Sequence, residues 1–145
     1  MRNALLVFII CLFALTGCSD NIAAQTSDIM EIREKLFVAQ TNDIYMNAAD
    51  YLGKTIKYEG IFLADEYPDS DDKFYSVTRY GPGCCGLDGV VGFEIIWDGE
   101  YPNDNDWVEV IGILEEYEYQ DMKFLYLAVS SLTVKTERGS EFVTQ

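Results

Sequence analysis

Two short segments of the chain carry one pattern. "KTIKYEGIF", residues 54–62, and "DWVEVIGIL", residues 106–114, each place two alternating apolar residues before a glycine and two apolar residues after it. A glycine in mid-strand marks a bulge or a sharp bend. Strands that curve round a small closed sheet need such a bend. Gly60 and Gly112 therefore point to a strongly curved sheet. Only two copies occur, so the echo is not a solenoid repeat.

Around these segments the alternation continues. Five strands are predicted, at residues 54–67, 73–80, 90–97, 106–119 and 122–134. "VVGFEIIW" is nearly all apolar and reads as a central strand. "EEYEY", residues 115–119, reads as an exposed strand with a tyrosine face. Upstream, Ile29, Ile32 and Leu36 recur at helical spacing, with Ser27 as cap and Asp28 and Glu31 in the first turn. This predicts a short amphipathic helix over 28–37, or a helix running into a strand at "LFVAQ". Residues 42–54 read as helix or turn, stopped at Gly53. The expected fold is mainly β: a small five-stranded OB-like barrel preceded by a short N-terminal helix. An open sheet with a helix packed on it is the alternative. The domain is expected over 28–138, with a frayed tail at 139–145.

The start of the chain has a different character. Arg2 precedes an apolar run of about a dozen residues, too short for a bilayer, which takes about 20. This is a secretory signal, and it ends in "LTGC", residues 15–18, the pattern of a bacterial lipobox. The expectation is a signal peptide over 1–17, with Cys18 lipidated and 18–27 a tether. Two acyl chains on one cysteine are enough for stable anchoring. The protein is then expected at the bacterial cell membrane, held by lipid on the extracytoplasmic side.

The net charge is −15, with no histidine. A nucleic-acid binder needs a basic footprint, so DNA and RNA are excluded as partners. Two acidic stretches, residues 65–72 and 98–106, offer oxygen ligands but lack the EF-hand order, and read as solvated turns. No nucleophile motif is present, and no pair of carboxylates is singled out. A non-enzymatic domain is expected.

Of the four cysteines, Cys11 falls in the signal and Cys18 at the lipid site. Cys84 and Cys85 remain, adjacent, in the glycine-rich "GPGCCGLDG". Consecutive Cα atoms lie about 3.8 Å apart, below the usual disulfide span of about 4.4–6.8 Å, so a bond between them is strained and labile. Three readings stand. Cys84, Cys85 and Asp88 are three donors for zinc or copper(I), with Asp65, Glu66 or a water as fourth. The pair is redox-active, with little beyond Arg79 to lower a thiol pKa. Or one cysteine is simply buried in a tight turn. The glycine spacing matches no phosphate-binding loop.

Three pieces of sequence resemble the C-terminal domain of the YcgQ-like family, uncharacterised bacterial membrane proteins associated with a permease-type partner. They are Tyr51-Leu52-Gly53-Lys54 leading into a strand, Cys84-Cys85-Gly86-Leu87-Asp88, and Trp107-Val108-Glu109-Val110-Ile111-Gly112. The likeness spans about residues 45–115. Members of that family carry membrane helices, and here a lipid anchor stands in their place. The resemblance implies an OB-like fold, an extracytoplasmic role and a membrane-protein partner, and gives no reaction. The expected function is a lipid-anchored binding or accessory domain; the alternative is a thiol-dependent metal-binding or metal-delivery lipoprotein, with zinc as the metal.

Overall fold

A computed structural model describes residues 28–67, 72–83 and 86–144. The elements run β1 (Met30–Glu31), α1 (Phe37–Met46), β2 (Thr55–Glu66), β3 (Lys73–Gly83), β4 (Gly86–Ile96), β5 (Trp107–Tyr119) and β6 (Met122–Val134). They form one mixed six-stranded sheet in the order β1-β2-β3-β4-β6-β5, with a further pairing of β2 to β5. Each of the five long strands thus has a neighbour on both sides. The β1–β2 and β4–β6 pairings are parallel and the rest antiparallel.

The two echoed glycines sit where the sheet bends. Along β2, Thr55–Ile61 pair with β5 and Ile61–Glu66 pair with β3, so the strand changes partner beside Gly60. A Cβ at Gly60 would lie 2.7 Å from the Thr78 carbonyl oxygen. In β5 the register shifts between Ile111 and Gly112, and a Cβ at Gly112 would lie 2.8 Å from the Ala128 carbonyl oxygen. Neither approach is open to a residue with a side chain.

The strands match the expectation closely, except that β3 and β4 run further. Gly81 pairs with Gly89 and Gly83 with Gly86, so the glycine-rich stretch on both sides of positions 84 and 85 is strand rather than loop. The N-terminal helix is corrected. Met30 and Glu31 pair with Ile56 and Lys57, the Ile32 amide donates to the Lys57 carbonyl at 2.9 Å, and the helix starts only after a 3-10 turn at Glu34–Leu36. "LFVAQ" lies in that turn and helix, not in a strand. The face that packs is Phe37, Thr41 and Ile44, each fully buried. Strand pairing gives the amides of 30–32 partners that the first turn of a helix lacks, and so displaces the helix. Gly53 ends the helical region at φ +80°, the glycine role expected there.

Phe37 and Ile44 close over a core built from Ile56, Tyr58, Phe62, Val77, Phe93, Val110, Leu114 and Leu127. The buried Tyr58 hydroxyl donates to the Val77 carbonyl at 2.7 Å and accepts from the Phe93 amide at 3.2 Å, so its burial leaves no lone polar group. Among the described residues, the Thr41 hydroxyl is buried without a partner.

One charged side chain joins three parts of the chain. Arg79 is 3% exposed. Its guanidinium lies 4.8 Å from the Phe37 ring and 4.8 Å from the Trp107 ring. It donates to the Glu59 carbonyl at 2.8 Å, the Ser140 carbonyl at 3.0 Å and the Glu34 carboxylate at 3.1 Å. The planar fork suits this combination of stacking and multiple donation. The tail, expected to fray, docks here instead. The Tyr80 amide donates to the Glu141 carbonyl and the Val143 amide to the Tyr80 carbonyl, both at 2.8 Å. Val143 is buried, and the Ser140 amide donates to Glu34 at 3.0 Å. The tail takes the side of β3 that β2 leaves when it turns to β5.

Candidate functional site: a carboxylate clasped by two hairpins

In β4 the buried Phe93 and Ile95 alternate with the half-buried Glu94, so Glu94 faces away from the core. The register extends that outer row. Glu94 is opposite Ser76 on β3 and Tyr126 on β6, and Tyr126 is opposite Glu115 on β5. The next row holds Tyr117 opposite Phe124. Phe74, two residues from Ser76, falls on the same face.

Two hairpins close over Glu94. Tyr67 follows β2, and its backbone amide donates to the Asp72 carbonyl at 3.0 Å. The Tyr67 hydroxyl donates to Glu94 Oε1 at 3.1 Å. From the β5–β6 hairpin, the Tyr117 hydroxyl donates to Glu94 Oε2 at 2.8 Å. Each carboxylate oxygen therefore takes a phenol from a different hairpin. Both phenols lie against a phenylalanine: Tyr67 is 5.0 Å from Phe74 and Tyr117 is 5.4 Å from Phe124 between ring centres. Tyr126, 5.9 Å from the Tyr117 ring, donates to the Glu115 carboxylate.

Burial, then the Glu94 hydrogen bond, pushes the Tyr117 phenol well above the ordinary value. Burial also raises Tyr67, with the neighbouring Tyr117 hydroxyl opposing and the Glu94 charge adding to the effect. The Glu115 bond raises Tyr126. All three hydroxyls thus remain neutral donors at neutral pH. Among the described residues, neither Glu94 nor Glu115 has a lysine or arginine nitrogen within 4.0 Å. The face consequently combines two carboxylates with flat aromatic surface, of which Tyr67 (38%) and Phe124 (36%) are notably open to solvent. Such an arrangement offers stacking surface and polar contact.

Cys18, Cys84 and Cys85 lie outside the described residues, as does the side chain of Asp88. Asp65 and Glu66 are far from the Gly83–Gly86 pair. They pair with Phe74 and Lys73 at the opposite end of β3, and ten residues of strand span about 30 Å. Arg79, the cation considered near the thiols, is committed to Glu34, Glu59 and Ser140. In the second acidic stretch, Asp104 accepts from the Ala64 amide at 3.1 Å and Asp106 from the Asn103 amide at 3.0 Å, which is turn-building. Among the described residues no group of three His, Cys, Asp or Glu is placed to hold a metal. A pocket of about 330 Å³ opens beside Arg79, but its charges compensate one another, with Lys57 3.0 Å from Glu109 and Lys135 3.5 Å from Glu59.

The tyrosine face of "EEYEY" emerges as expected at Tyr117. Glu94 and its clasp were not read from the sequence. The available signal was a single carboxylate inside the apolar run "VVGFEIIW".

The chain is thus a mainly β domain built on one mixed sheet, with an aromatic and acidic outer face. Its family can be stated: it matches the family model described as the DUF1980 C-terminal domain over residues 19–143, and it belongs to that uncharacterised family. The match extends well beyond the 45–115 stretch that carries the motifs. A comparison with curated proteins finds no match.

Proposed function

We propose that this protein is a lipid-anchored, extracytoplasmic binding or accessory domain without catalytic activity, and that it takes its ligand on the face around Glu94. The observation that carries this reading is the Glu94 clasp: one carboxylate, two phenols from separate hairpins, and a ring packed behind each. The cyclic pairing of β2, β3, β4, β6 and β5 supports a five-stranded OB-like barrel, to which β1 and α1 are added. Barrels of that class bind ligands on one sheet face and on the loops flanking it. By strand order, the hairpins carrying Tyr67 and Tyr117 are those flanking loops. The charge of −15 argues against nucleic acid. Anchoring rests on the lipobox ending at Cys18. Partnership with a membrane protein rests on the YcgQ-like motifs.

Titration of the isotope-labelled full chain in neutral detergent, followed by NMR, tests the binding face. The probes are a neutral oligosaccharide, a basic peptide and an acidic peptide. Shift changes concentrated on Glu94, Tyr117, Phe124 and Tyr126 with any probe are expected. No perturbation of that face by any of the three overturns the reading.

A further inference from the structure

The chemistry of the outer face restricts what can cover it, given the binding face proposed above. Glu94 and Glu115 sit on the strands either side of β6, both level with Tyr126. Two strand spacings put them about 10 Å apart. Each carboxylate already accepts from a phenol, and a phenol brings no charge. A neutral occupant would strip water from two carboxylates and supply no counter-charge, an unfavourable exchange. An anionic occupant would add repulsion from a chain of charge −15. The occupant therefore carries positive charge, and it must also cover flat rings. A guanidinium does both, stacking on aromatic faces while its fork meets a carboxylate. An ammonium supplies charge without the planar stack.

We propose that the Glu94–Glu115 face binds an arginine-bearing basic segment of a partner protein, one guanidinium at each carboxylate. Their separation fits two arginines three residues apart in a polyproline II segment, where each residue advances about 3.1 Å.

The test uses a fluorescently labelled, capped Arg-Pro-Pro-Arg peptide and the full chain in neutral detergent at about 0.15 M ionic strength, where the Debye length is about 8 Å, read by anisotropy. A second peptide carries citrulline at both arginines, keeping shape and losing charge. Glu94→Gln combined with Glu115→Gln removes both charges and leaves an amide oxygen to accept one phenol at each position, while the amide nitrogen at 94 can donate to the oxygen of the second. Glu137→Gln removes an exposed charge elsewhere. Binding of the arginine peptide is expected, with a loss of at least about tenfold on either the double glutamine change or the citrulline change. Glu137→Gln should leave binding within about twofold, as expected for a remote, screened charge. Equal weakening by Glu137→Gln and by the double variant would mean attraction to net charge alone and would overturn the proposal. So would equal binding of the citrulline peptide, which needs no protein variant. If a neutral oligosaccharide shifts the face in the NMR titration and the arginine peptide does not bind, the binding face stands and the cationic occupant is wrong. If no probe reaches the face, both fail.

Discussion

Replacing Arg79 by alanine should cost this domain a large part of its stability. The guanidinium makes three hydrogen bonds, to Glu59, Ser140 and Glu34, and stacks between Phe37 and Trp107. Hydrogen bonds from a charged donor contribute about 1.5–3 kcal/mol each, and cation–π contacts from about 0.5 to 2 kcal/mol. Against this stands the desolvation of the cation itself, which cancels much of the sum. Breaking a buried pair costs about 3–5 kcal/mol in net terms. Glu34 remains about half exposed and rehydrates readily, so the expected loss for Arg79→Ala is about 3 kcal/mol, within a total of about 5–15. Arg79→Lys keeps the charge but loses the fork and the stack, and should fall between the two. Urea denaturation followed by tryptophan fluorescence measures both, since Trp107 lies against the guanidinium. Truncation after Gly139 removes the Ser140 partner, so its effect should add to Arg79→Ala less than fully. A loss below about 1 kcal/mol for Arg79→Ala, or full additivity with the truncation, would refute the idea that Arg79 ties helix, strand and tail together.

Thr41→Val replaces a buried, unpartnered hydroxyl with a methyl group and should raise stability by about 1 kcal/mol; a loss in the same urea titration would contradict this. The Ser140 amide and then Arg79 hold the Glu34 carboxyl below its ordinary value of 4.5. Its contribution is therefore present above that value and lost as pH falls through the depressed one, so the Val143 and Tyr80 amide resonances should move toward unfolded positions in acid before the core does. Burial and nearby Glu94 push Tyr45 up to about 12, and burial raises Tyr58 further. Both phenols ionise more easily unfolded, so stability should hold up to about pH 10 and fall above it; phenolate absorbance rising near 10 for every tyrosine with the fold intact would contradict this. Cys18→Ser should abolish palmitate incorporation and release the protein from the membrane fraction, and unchanged labelling would remove the anchor from the proposed function.

The parts of the fold legible in the sequence were those fixed by short-range pattern. Alternation located β2, β5 and β6 to within a residue or two, and the paired glycine pattern located both bends, because each depends on neighbours along the chain. Residues 28–37 show where that logic stops. Ile29, Ile32 and Leu36 have helical spacing, but β2 supplies an edge for Met30 and Glu31 to pair with, and a contact across 26 positions leaves no local trace. The docked tail is the same case, since Val143 is buried only because β2 departs from β3 beside Gly60. The clasp was illegible for a further reason. Tyr117 is brought to Glu94 by the parallel β4–β6 register and Tyr67 by the antiparallel β2–β3 and β3–β4 pairings, and nothing near Glu94 in sequence announces a phenol arriving from either hairpin.

Glu34 receives both Arg79 and the Ser140 amide, so the segment that enters the domain and the segment that leaves it meet at one carboxylate. A unit whose ends are adjacent is topologically a cassette. It can be spliced into a surface loop of a host protein with short linkers, because the loop closure its insertion imposes is already made by its own fold. The same closeness makes it suited to circular permutation. New termini at the Gln120–Asp121 turn would open the β5–β6 hairpin at its tip while leaving the junction at Glu34 joined.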